Sequence, residues 1–265
     1  MPMILQVLVS TMNQTDYSLA QKMNIKGKCL IINQAGADVT VPDTNPDIKL
    51  LTFNERGLSK SRNRALENAR YDISLIADDD IIYNDSYEKI IIEQFKKNPS
   101  TDIITFQLSG LNGKHKEYSK KEKKLGFITA MKVTSFEIAF RTGSIKKAGI
   151  RFNDILGAGA KYKMGEENVF LFDCLRKGLR IKYVPIEIGK VYLGDSTWFD
   201  GYNSGYFFSR GGSFAAMSKR WAILLILQFA VRKYSLYKNE SGFFPAIAEM
   251  LKGRKTFLED IANGV

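Results

Sequence analysis

The stretch Ile73-Ser74-Leu75-Ile76-Ala77-Asp78-Asp79-Asp80-Ile81-Ile82 decides how the rest of the sequence is interpreted. Residues 73–77 are mainly apolar and rich in branched side chains, which predicts a buried β-strand. Three carboxylates follow at once, and adjacent acids raise one another's pKa values unless a counter-charge is present. A divalent cation with bound phosphate oxygens is the usual counter-charge, because hard cations prefer carboxylate oxygens. The alternative is a solvated turn in which Asp80 or Asp85 caps a helix, but ligands gather at this edge of open α/β sheets.

The bulk composition describes an ordinary globular protein, either one large α/β domain or a domain with an appendage. The chain has 265 residues, of which 45% are hydrophobic and 25% charged. The net charge of +11 admits three anionic partners, namely nucleic acid, a membrane surface or phosphorylated small molecules. Cys29 and Cys174 lie in apolar surroundings, which favours a reducing cytosol over a disulfide framework. We therefore expect a cytoplasmic protein, with contact at the inner face of the plasma membrane as an open alternative.

Strand patterns alternate with helix patterns through most of the chain. We expect strands at residues 4–9, 29–32, 48–53, 73–77, 102–108 and 180–184, the last ended by Pro185. Helices are expected at 59–69, 87–95 and 169–176. This alternation predicts an α/β fold with a Rossmann-like, mostly parallel sheet flanked by helices. The last quarter predicts a long helix over 213–236 and two closing helices, so we divide the chain into a main domain, 1–190, and a helical C-terminal cap, 191–265.

Polar loops follow the first four predicted strands and should line one crevice. The side chains expected there are Thr11, Asn13, Asn33, Arg62, Arg64, Asp78, Asp79 and Asp80. Basic groups beside carboxylates fit a nucleotide diphosphate bridged by a metal, and Mg²⁺ or Mn²⁺ suits an all-oxygen site. Further along, Glu166 and Glu167 precede a helix pattern. They are either a source of a general base or simply acids that favour a helix N-terminus, and spacing alone leaves both open.

Four motifs, taken in order, make the chain resemble a glycosyltransferase family 2 enzyme of the GT-A fold. They are Val9-Ser10-Thr11, the GLSKSRNRA segment at 57–65, the Asp78-Asp79-Asp80 cluster, and Gly165-Glu166-Glu167 leading into the RKGLRIKYVP segment at 176–185. Together they cover residues 4 to 190. The resemblance implies an inverting transfer of a hexosyl or N-acetylhexosaminyl group from a nucleotide-diphosphate sugar, with a UDP-sugar favoured, to an acceptor hydroxyl. The setting it implies is bacterial surface polysaccharide synthesis, such as capsule, exopolysaccharide or O-antigen.

The same resemblance implies a role for each site residue. Asp78 would contact the donor ribose, and Asp80 would bind the Mn²⁺ or Mg²⁺ ion that bridges the diphosphate, with Asp78 and Asp195 as further metal ligands. Glu167, beside Glu166, would be the general base. The nucleotide pocket would be lined by Thr11, Asn13, Asn33, Arg62, Asp78 and Asp79.

Three departures from the family pattern bear on the donor and the metal. Asn33-Gln34 stands where many members carry an acid that holds the base, although an amide can also pair with a base. Glu167 replaces the usual Asp, which lengthens the general base by one methylene. The only histidine, His115, lies in a lysine-rich segment that we interpret as a solvated loop rather than an anion-binding flap, so Asp195 is the preferred substitute for the family's histidine ligand.

The C-terminal cap holds the predicted acceptor side. Trp198 and Tyr202, with Phe199 and Tyr206, form an aromatic and glycine-punctuated stretch that suits a saccharide acceptor. The predicted helix over 213–236 has cationic residues on both sides of an apolar middle. Its apolar face either packs on the domain or lies in the plane of a membrane surface. Membrane contact would suit a lipid-linked acceptor.

Two other functions are weighed against the transferase. A sugar-nucleotide nucleotidyltransferase should show a glycine-rich phosphate loop after the first strand, and residues 10–15 contain no glycine. A basic nucleic-acid-binding protein is suggested by the net charge, but the lysines concentrate in one loop without interleaved aromatic residues and no binding module appears. We therefore expect a nucleotide-sugar donor and a saccharide acceptor as partners, and no nucleic acid.

Overall fold

The computed structural model describes residues 2–36, 45–113, 116–192 and 199–264. The chain forms two compact units. The first comprises Met1–Arg56, Lys60–Arg151 and Phe170–Gly194. The second comprises Gly57–Ser59, Phe152–Val169 and Asp195–Val265, so two internal segments join the C-terminal residues.

The first unit is built on a mostly parallel sheet flanked by helices, as the sequence predicts. The order in the sheet is β3-β2-β1-β4-β8-β6-β9-β5, with β7 paired to β9. Antiparallel ladders join β8 to β4 and β6, and join β5 and β7 to β9. The strands are β1 (Leu5–Met12), β2 (Lys28–Gln34), β3 (Ile48–Phe53), β4 (Ile73–Asp78), β5 (Ile81–Tyr83), β6 (Ile103–Gly110), β7 (Lys123–Leu125), β8 (Ile138–Arg141) and β9 (Ile181–Val191).

The helices include the three predicted in the first two thirds of the chain, which are present as α2, α3 and α6. The helices are α1 (Ser18–Lys22), α2 (Leu58–Asn68), α3 (Tyr87–Lys97), α4 (Phe127–Ala130), α5 (Thr142–Ala148), α6 (Glu166–Arg176), α7 (Ser204–Met217), α8 (Ala222–Tyr237) and α9 (Phe243–Ala262), with a 3₁₀ turn at Ser135–Glu137. In the described ranges, none of these helices is both long and apolar enough to cross a bilayer.

The register of the parallel strands brings their polar ends together. On β1, Ser10 pairs with Asp78 of β4, and Thr11 pairs with Asn33 of β2. Asn33 pairs in turn with Thr52 of β3. Because parallel strands end at the same edge of a sheet, the polar residue that closes each apolar run arrives at one place.

The prediction that a strand ends at Pro185 is wrong, because β9 continues through Pro185 to Val191. Proline lacks an N–H donor and is confined to edges and irregular positions in sheets. Here the pairing with β6 shifts its register between Thr105 and Gln107, the part of the ladder that lies opposite Pro185. Because the two strands are out of regular register here, the ladder does not require a backbone N–H at position 185.

The prediction of one helix over 213–236 is also wrong. The segment belongs to two helices, α7 and α8, separated at Ser218. Ser218 is extended, with φ −163° and ψ 111°, and its Oγ accepts a hydrogen bond from the Trp221 backbone N–H at 3.2 Å. Serine side chains compete with the helical backbone for such donors, and the hydrophobic pattern carries no sign of this break.

Candidate active site

Thr11, at the end of β1, links two of the segments that meet at the sheet edge. Its buried Oγ1 donates a hydrogen bond to Asp79 Oδ2 at 2.6 Å. The same oxygen accepts a hydrogen bond from Gln14 Nε2 at 3.1 Å. The Asp79 carboxylate is therefore turned back toward β1, and the loop after β1 is tied to the same point.

Asp78 lies between two donors from different parts of the first unit. Arg62 of α2, which is only 3% exposed, donates from Nη2 to Asp78 Oδ1 at 2.8 Å. Ser135, in the 3₁₀ turn before β8, donates from Oγ to Asp78 Oδ2 at 3.2 Å. A buried guanidinium requires a charge partner, so the ion pair holds both α2 and the Asp78 carboxylate in place.

Asp80 differs from its two neighbours. No other residue in the described part of the chain forms a hydrogen bond or ion pair with its carboxylate. Its backbone is fixed, because the Tyr192 N–H donates to the Asp80 carbonyl oxygen at 2.9 Å. Desolvation at the sheet edge and then the charge of Asp78 raise the pKa of Asp80 to about 6, although the residue remains exposed. Among the described residues, no Lys or Arg balances the negative charge of the Asp80 carboxylate.

The donor set at this edge fits a divalent cation only together with a substrate. Among the described residues, no three His, Cys, Asp or Glu side chains converge on one point. Magnesium in proteins is commonly bound by one or two carboxylates, with substrate phosphates and water completing the shell. Asp80 and Asp78 can supply the carboxylates, and the uncompensated charge on Asp80 suits a cation. The residues present are therefore compatible with Mn²⁺ or Mg²⁺ carried with a nucleotide diphosphate.

Asn33 and Asn13 shape the loop that follows β1. The buried Asn33 amide accepts from the Gln14 backbone N–H at 2.9 Å and donates to the Gln14 carbonyl at 2.9 Å. Asn13 is exposed and adopts φ 56°, a left-handed conformation that asparagine tolerates well. Asn33 was predicted to contact the nucleotide, and in the structure its amide holds the loop.

Arg64, also expected in the crevice, forms an ion pair on the rim of the first unit. Its Nε lies 3.0 Å from Glu55 Oε1, and its Nη2 lies 3.2 Å from Glu55 Oε2. The guanidinium also stacks over the Phe53 ring, 4.9 Å from the centroid. Glu55 thus balances the charge of Arg64, and the Phe53 ring covers one face of its guanidinium group.

Glu166 and Glu167 begin α6 and belong to the second unit. Glu166 is buried and Glu167 is half-buried. The preceding Gly165 has φ +86°, and a Cβ there would lie 2.8 Å from Ser213 Oγ. Ser213 Oγ also donates to the Met164 carbonyl at 2.6 Å, so α7 fixes the chain immediately before the two glutamates. Their roles toward a donor and an acceptor stay predictions.

The described members of the predicted acceptor wall form one aromatic cluster in the second unit. The ring centroids of Phe199 and Tyr202 are 5.2 Å apart, and those of Tyr202 and Tyr206 are 5.0 Å apart, both edge to face. The Tyr202 backbone N–H donates to Glu240 Oε2 at 2.7 Å. Trp198, Asp195 and His115 lie outside the described residues.

Sequence reasoning missed two side chains of the network at the sheet edge, Ser135 and Gln14. Ser135 lies far along the chain from Asp78, in a segment without any motif. Gln14 stands in a polar loop that we expected to line the crevice, but nothing in its spacing singles it out. Only the register of β1, β4 and β8 brings these residues to one point.

Comparisons with known proteins bear on the fold and the family of the chain. Residues 33–152 match the model of glycosyl transferase family 2. No curated protein matches the sequence. Among solved structures, the chain is similar to S. aureus TarS, with 15% identity, a TM-score of 0.61, 89% of this chain covered and 44% of the TarS chain covered. The structure of TarS 1–349 in complex with UDP-GlcNAc is 13% identical, with a TM-score of 0.62, and the similarity covers 99% of this chain and 92% of the TarS chain. The same form in complex with UDP gives 13% identity, a TM-score of 0.61, and the same coverage.

The fold is similar to that of GT-A glycosyltransferase structures, and the family match falls almost entirely within the first unit. Residues 33–152, slightly less than half of the chain, carry the match to glycosyl transferase family 2. The matched segment includes Asn33, Arg62 and all three acids, whereas Thr11 and the two glutamates lie outside it. At such low identity the TarS structures concern the fold alone, and the chain spans less than half of the first TarS chain.

Proposed function

We propose that the chain transfers a sugar from a UDP-sugar to an acceptor hydroxyl, with inversion at the anomeric carbon. The observation that carries this proposal is the unequal state of the three acids. Asp78 and Asp79 are each held by partners from the protein. Asp80, between them and β5, has a raised pKa and an exposed carboxylate. Such a site favours a cation that arrives with a negatively charged donor.

The donor nucleotide would lie along the carboxyl ends of β1 and β4. Asp78 keeps acceptor capacity on both oxygens, since a carboxylate has about four lone-pair sites, and it would take hydrogen bonds from the ribose hydroxyls. Thr11 and Asp79 would form the adjacent wall, while Asn33 and Asn13 shape the loop that approaches the base. UDP is favoured because similar folds have been solved with UDP and with UDP-GlcNAc.

Asp80 and Asp78 would hold the divalent cation, and Asp195 is the proposed further ligand. When bound, the ion would supply positive charge against the diphosphate as it leaves. Arg62 contributes in a different way, because its buried guanidinium fixes the orientation of Asp78. The site is thus organised before the donor binds, which lowers the reorganisation required during the reaction.

Glu167 is the proposed general base. It would accept the proton of the acceptor hydroxyl as the hydroxyl oxygen forms a bond to the anomeric carbon. The bond from that carbon to the diphosphate oxygen breaks, and its electron pair stays on the UDP. Attack on the face opposite the leaving group inverts the configuration. Glu166, buried at the first position of α6, would keep the adjacent backbone in place.

The acceptor would be a saccharide bound beside Tyr202, Trp198 and their aromatic neighbours. Aromatic faces pack well against the apolar faces of sugar rings because they bury area while the hydroxyls remain solvated. We place the reaction in bacterial surface polysaccharide synthesis, on the cytoplasmic side, where nucleotide sugars are made. A lipid-linked saccharide is one form that such an acceptor takes.

The test replaces the base and separates turnover from donor binding. UDP release from UDP-GlcNAc and other UDP-sugars is measured with a mixture of saccharide acceptors, and UDP affinity is measured by calorimetry. Glu167→Gln should lower turnover by about 10²- to 10⁴-fold, the usual contribution of a general base, with UDP affinity unchanged. Glu259→Gln, an exposed glutamate paired with Lys255 on α9, is the matched control. Full turnover in Glu167→Gln would contradict the assignment.

A further inference from the structure

Helix α8 in the second unit has two apolar sides, and only one of them is buried. The buried side consists of Ala222, Ile226, Ala230 and Tyr237. Spacings of four, four and seven residues place these side chains on one face. The exposed face beside the buried one would be polar in an ordinary surface helix, but in α8 it is apolar.

The exposed side carries a second line of large apolar residues, here called the α8 stripe: Ile223, Leu224, Leu227, Val231 and Tyr234. Leu224 is 55% exposed and Val231 is 66% exposed. Leu224, Leu227, Val231 and Tyr234 follow one another at three, four and three residues, which keeps them on one face of the helix, and Ile223 stands four residues before Leu227. Exposed apolar residues scattered singly are normal, but a contiguous line marks a surface that is covered by something else.

Apolar residues extend this surface at both ends of the helix. Trp221 precedes α8 and is 54% exposed, and Phe244 at the start of α9 is 79% exposed. The ring centroids of Tyr234 and Phe243 are 5.6 Å apart, and those of Phe243 and Phe244 are 5.4 Å apart. Ring contacts therefore connect the stripe to the first turn of α9 within the same unit.

The charge around the stripe has one sign. From Gly201 to Asn239 the sequence contains no Asp or Glu. The basic residues at the two ends of α8 are all exposed: Lys219, Arg220, Arg232, Lys233 and Lys238. Acidic residues return only with Glu240. Within residues 201–239, the charged residues flanking the apolar line are therefore all cations.

We propose that the α8 stripe docks on the surface of an anionic lipid membrane, with the helix lying in the plane of the interface. Apolar side chains would enter the boundary between headgroups and acyl chains, while the lysines and arginines meet anionic headgroups. Trp221 at the edge suits this depth, because tryptophan prefers the membrane interface. The surface combines both attractions that such a helix requires.

A second copy of the chain fits this surface less well. A two-fold contact would place the same patch of each copy against the other. Arg232 and Lys233 of one copy would then approach the same cationic border in the other, and residues 201–239 offer no acid to pair with them. Unpaired like charges oppose such a contact. Anionic headgroups of a bilayer would instead attract the same lysines and arginines.

Vesicle flotation tests the proposal without reference to sugar transfer, so its outcome is independent of the proposed catalysis. The protein is floated with vesicles of phosphatidylcholine alone and of phosphatidylcholine with phosphatidylglycerol, at low and high salt. We expect binding to the anionic vesicles that weakens with salt. Leu227→Glu should lower the bound fraction about tenfold or more, because a leucine is no longer buried and a negative charge is added. Ile128→Glu on α4 is the control, since Ile128 is an exposed apolar residue of the first unit.

A fluorescence measurement reports on the stripe directly. The chain has two tryptophans, so Trp198→Phe leaves Trp221 as the only one, and its emission should shift to the blue with anionic vesicles. Absence of flotation of the unmodified protein would overturn the proposal. Equal flotation of the unmodified protein and Leu227→Glu would also overturn it, as would self-association that Leu227→Glu abolishes while neither protein floats.

Discussion

The carboxyl edge of β1 and β4 in the first unit contrasts with the packing of α7 on α9 in the second. At the sheet edge, no described residue forms an ion pair with Asp80, and desolvation raises the pKa of this carboxyl. Between α7 and α9, the two backbones approach so closely that two glycines have no room for a side chain. A Cβ on Gly211 would overlap the Met250 carbonyl oxygen, and one on Gly253 would overlap the Phe208 carbonyl oxygen.

The difference separates residues that serve the fold from residues that serve a ligand. Close helix packing satisfies itself within the protein, so any added atom is costly. A carboxylate without a partner at a desolvated edge is unfavourable by itself, and we propose that a cation carried by the donor compensates it. Substitutions in the two regions should therefore act on different properties, stability in one and ligand binding in the other.

The largest expected effect on stability comes from Gly211→Ala. The added methyl group forces α7 away from the α9 backbone, and overpacking at a backbone contact destabilises by about 3 kcal/mol. Gly143→Ala on α5 is the control, because nothing lies within 4 Å of its Cβ position. It should leave stability unchanged or raise it by about 0.5–1 kcal/mol, the usual gain from replacing a helical glycine. The free energy of unfolding in urea measures both. Equal stability of the two variants would show that α7 and α9 do not pack this closely.

A smaller effect is expected at Asp260 of α9. Lys161 Nζ lies 2.6 and 2.7 Å from its two oxygens, and Tyr162 Oη donates to Oδ2 at 2.7 Å. The hydrogen bond from Lys161, followed by that from Tyr162, lowers the pKa of Asp260. Because the folded-state pKa lies below the unfolded value, the stabilisation is complete above that value and disappears as the pH falls through the folded pKa.

Asp260→Asn should therefore destabilise the protein by about 1 kcal/mol at neutral pH, a typical contribution for a partly exposed pair. The difference from the unmodified protein should shrink once the pH falls below about 4, near the ordinary pKa of an aspartate. Thermal unfolding of both proteins across this pH range measures it. A difference that stays constant with pH would contradict the ion pair.

Much of the first unit could be predicted from local pattern. Apolar runs that end in polar residues predicted β1, β3 and β4, and the acids after β4 predicted a charged edge. These features are local in sequence, so spacing and residue type suffice. The family resemblance rested on four motifs, and the match over 33–152 covers two of them, at 57–65 and 78–80.

The remainder depends on contacts between distant residues. Ser135 reaches Asp78 only because β8 lies beside β4. The break at Ser218 depends on a side-chain hydrogen bond, and the course of β9 through Pro185 depends on a shifted register with β6. Hydrophobic periodicity records none of these interactions.

The most direct test of the account is calorimetry of UDP binding with and without Mn²⁺, in the unmodified protein and in Asp80→Asn. Loss of even an outer-shell partner of a metal commonly costs 10- to 100-fold in affinity, so Asp80→Asn should weaken metal-dependent UDP binding by about 100-fold or more. Asp173→Asn, at a half-buried aspartate of α6 that pairs with Arg176, should bind as the unmodified protein does. UDP binding that is equally tight in Asp80→Asn, or that needs no metal in any variant, would contradict the claim that this acidic edge holds a cation for a nucleotide diphosphate.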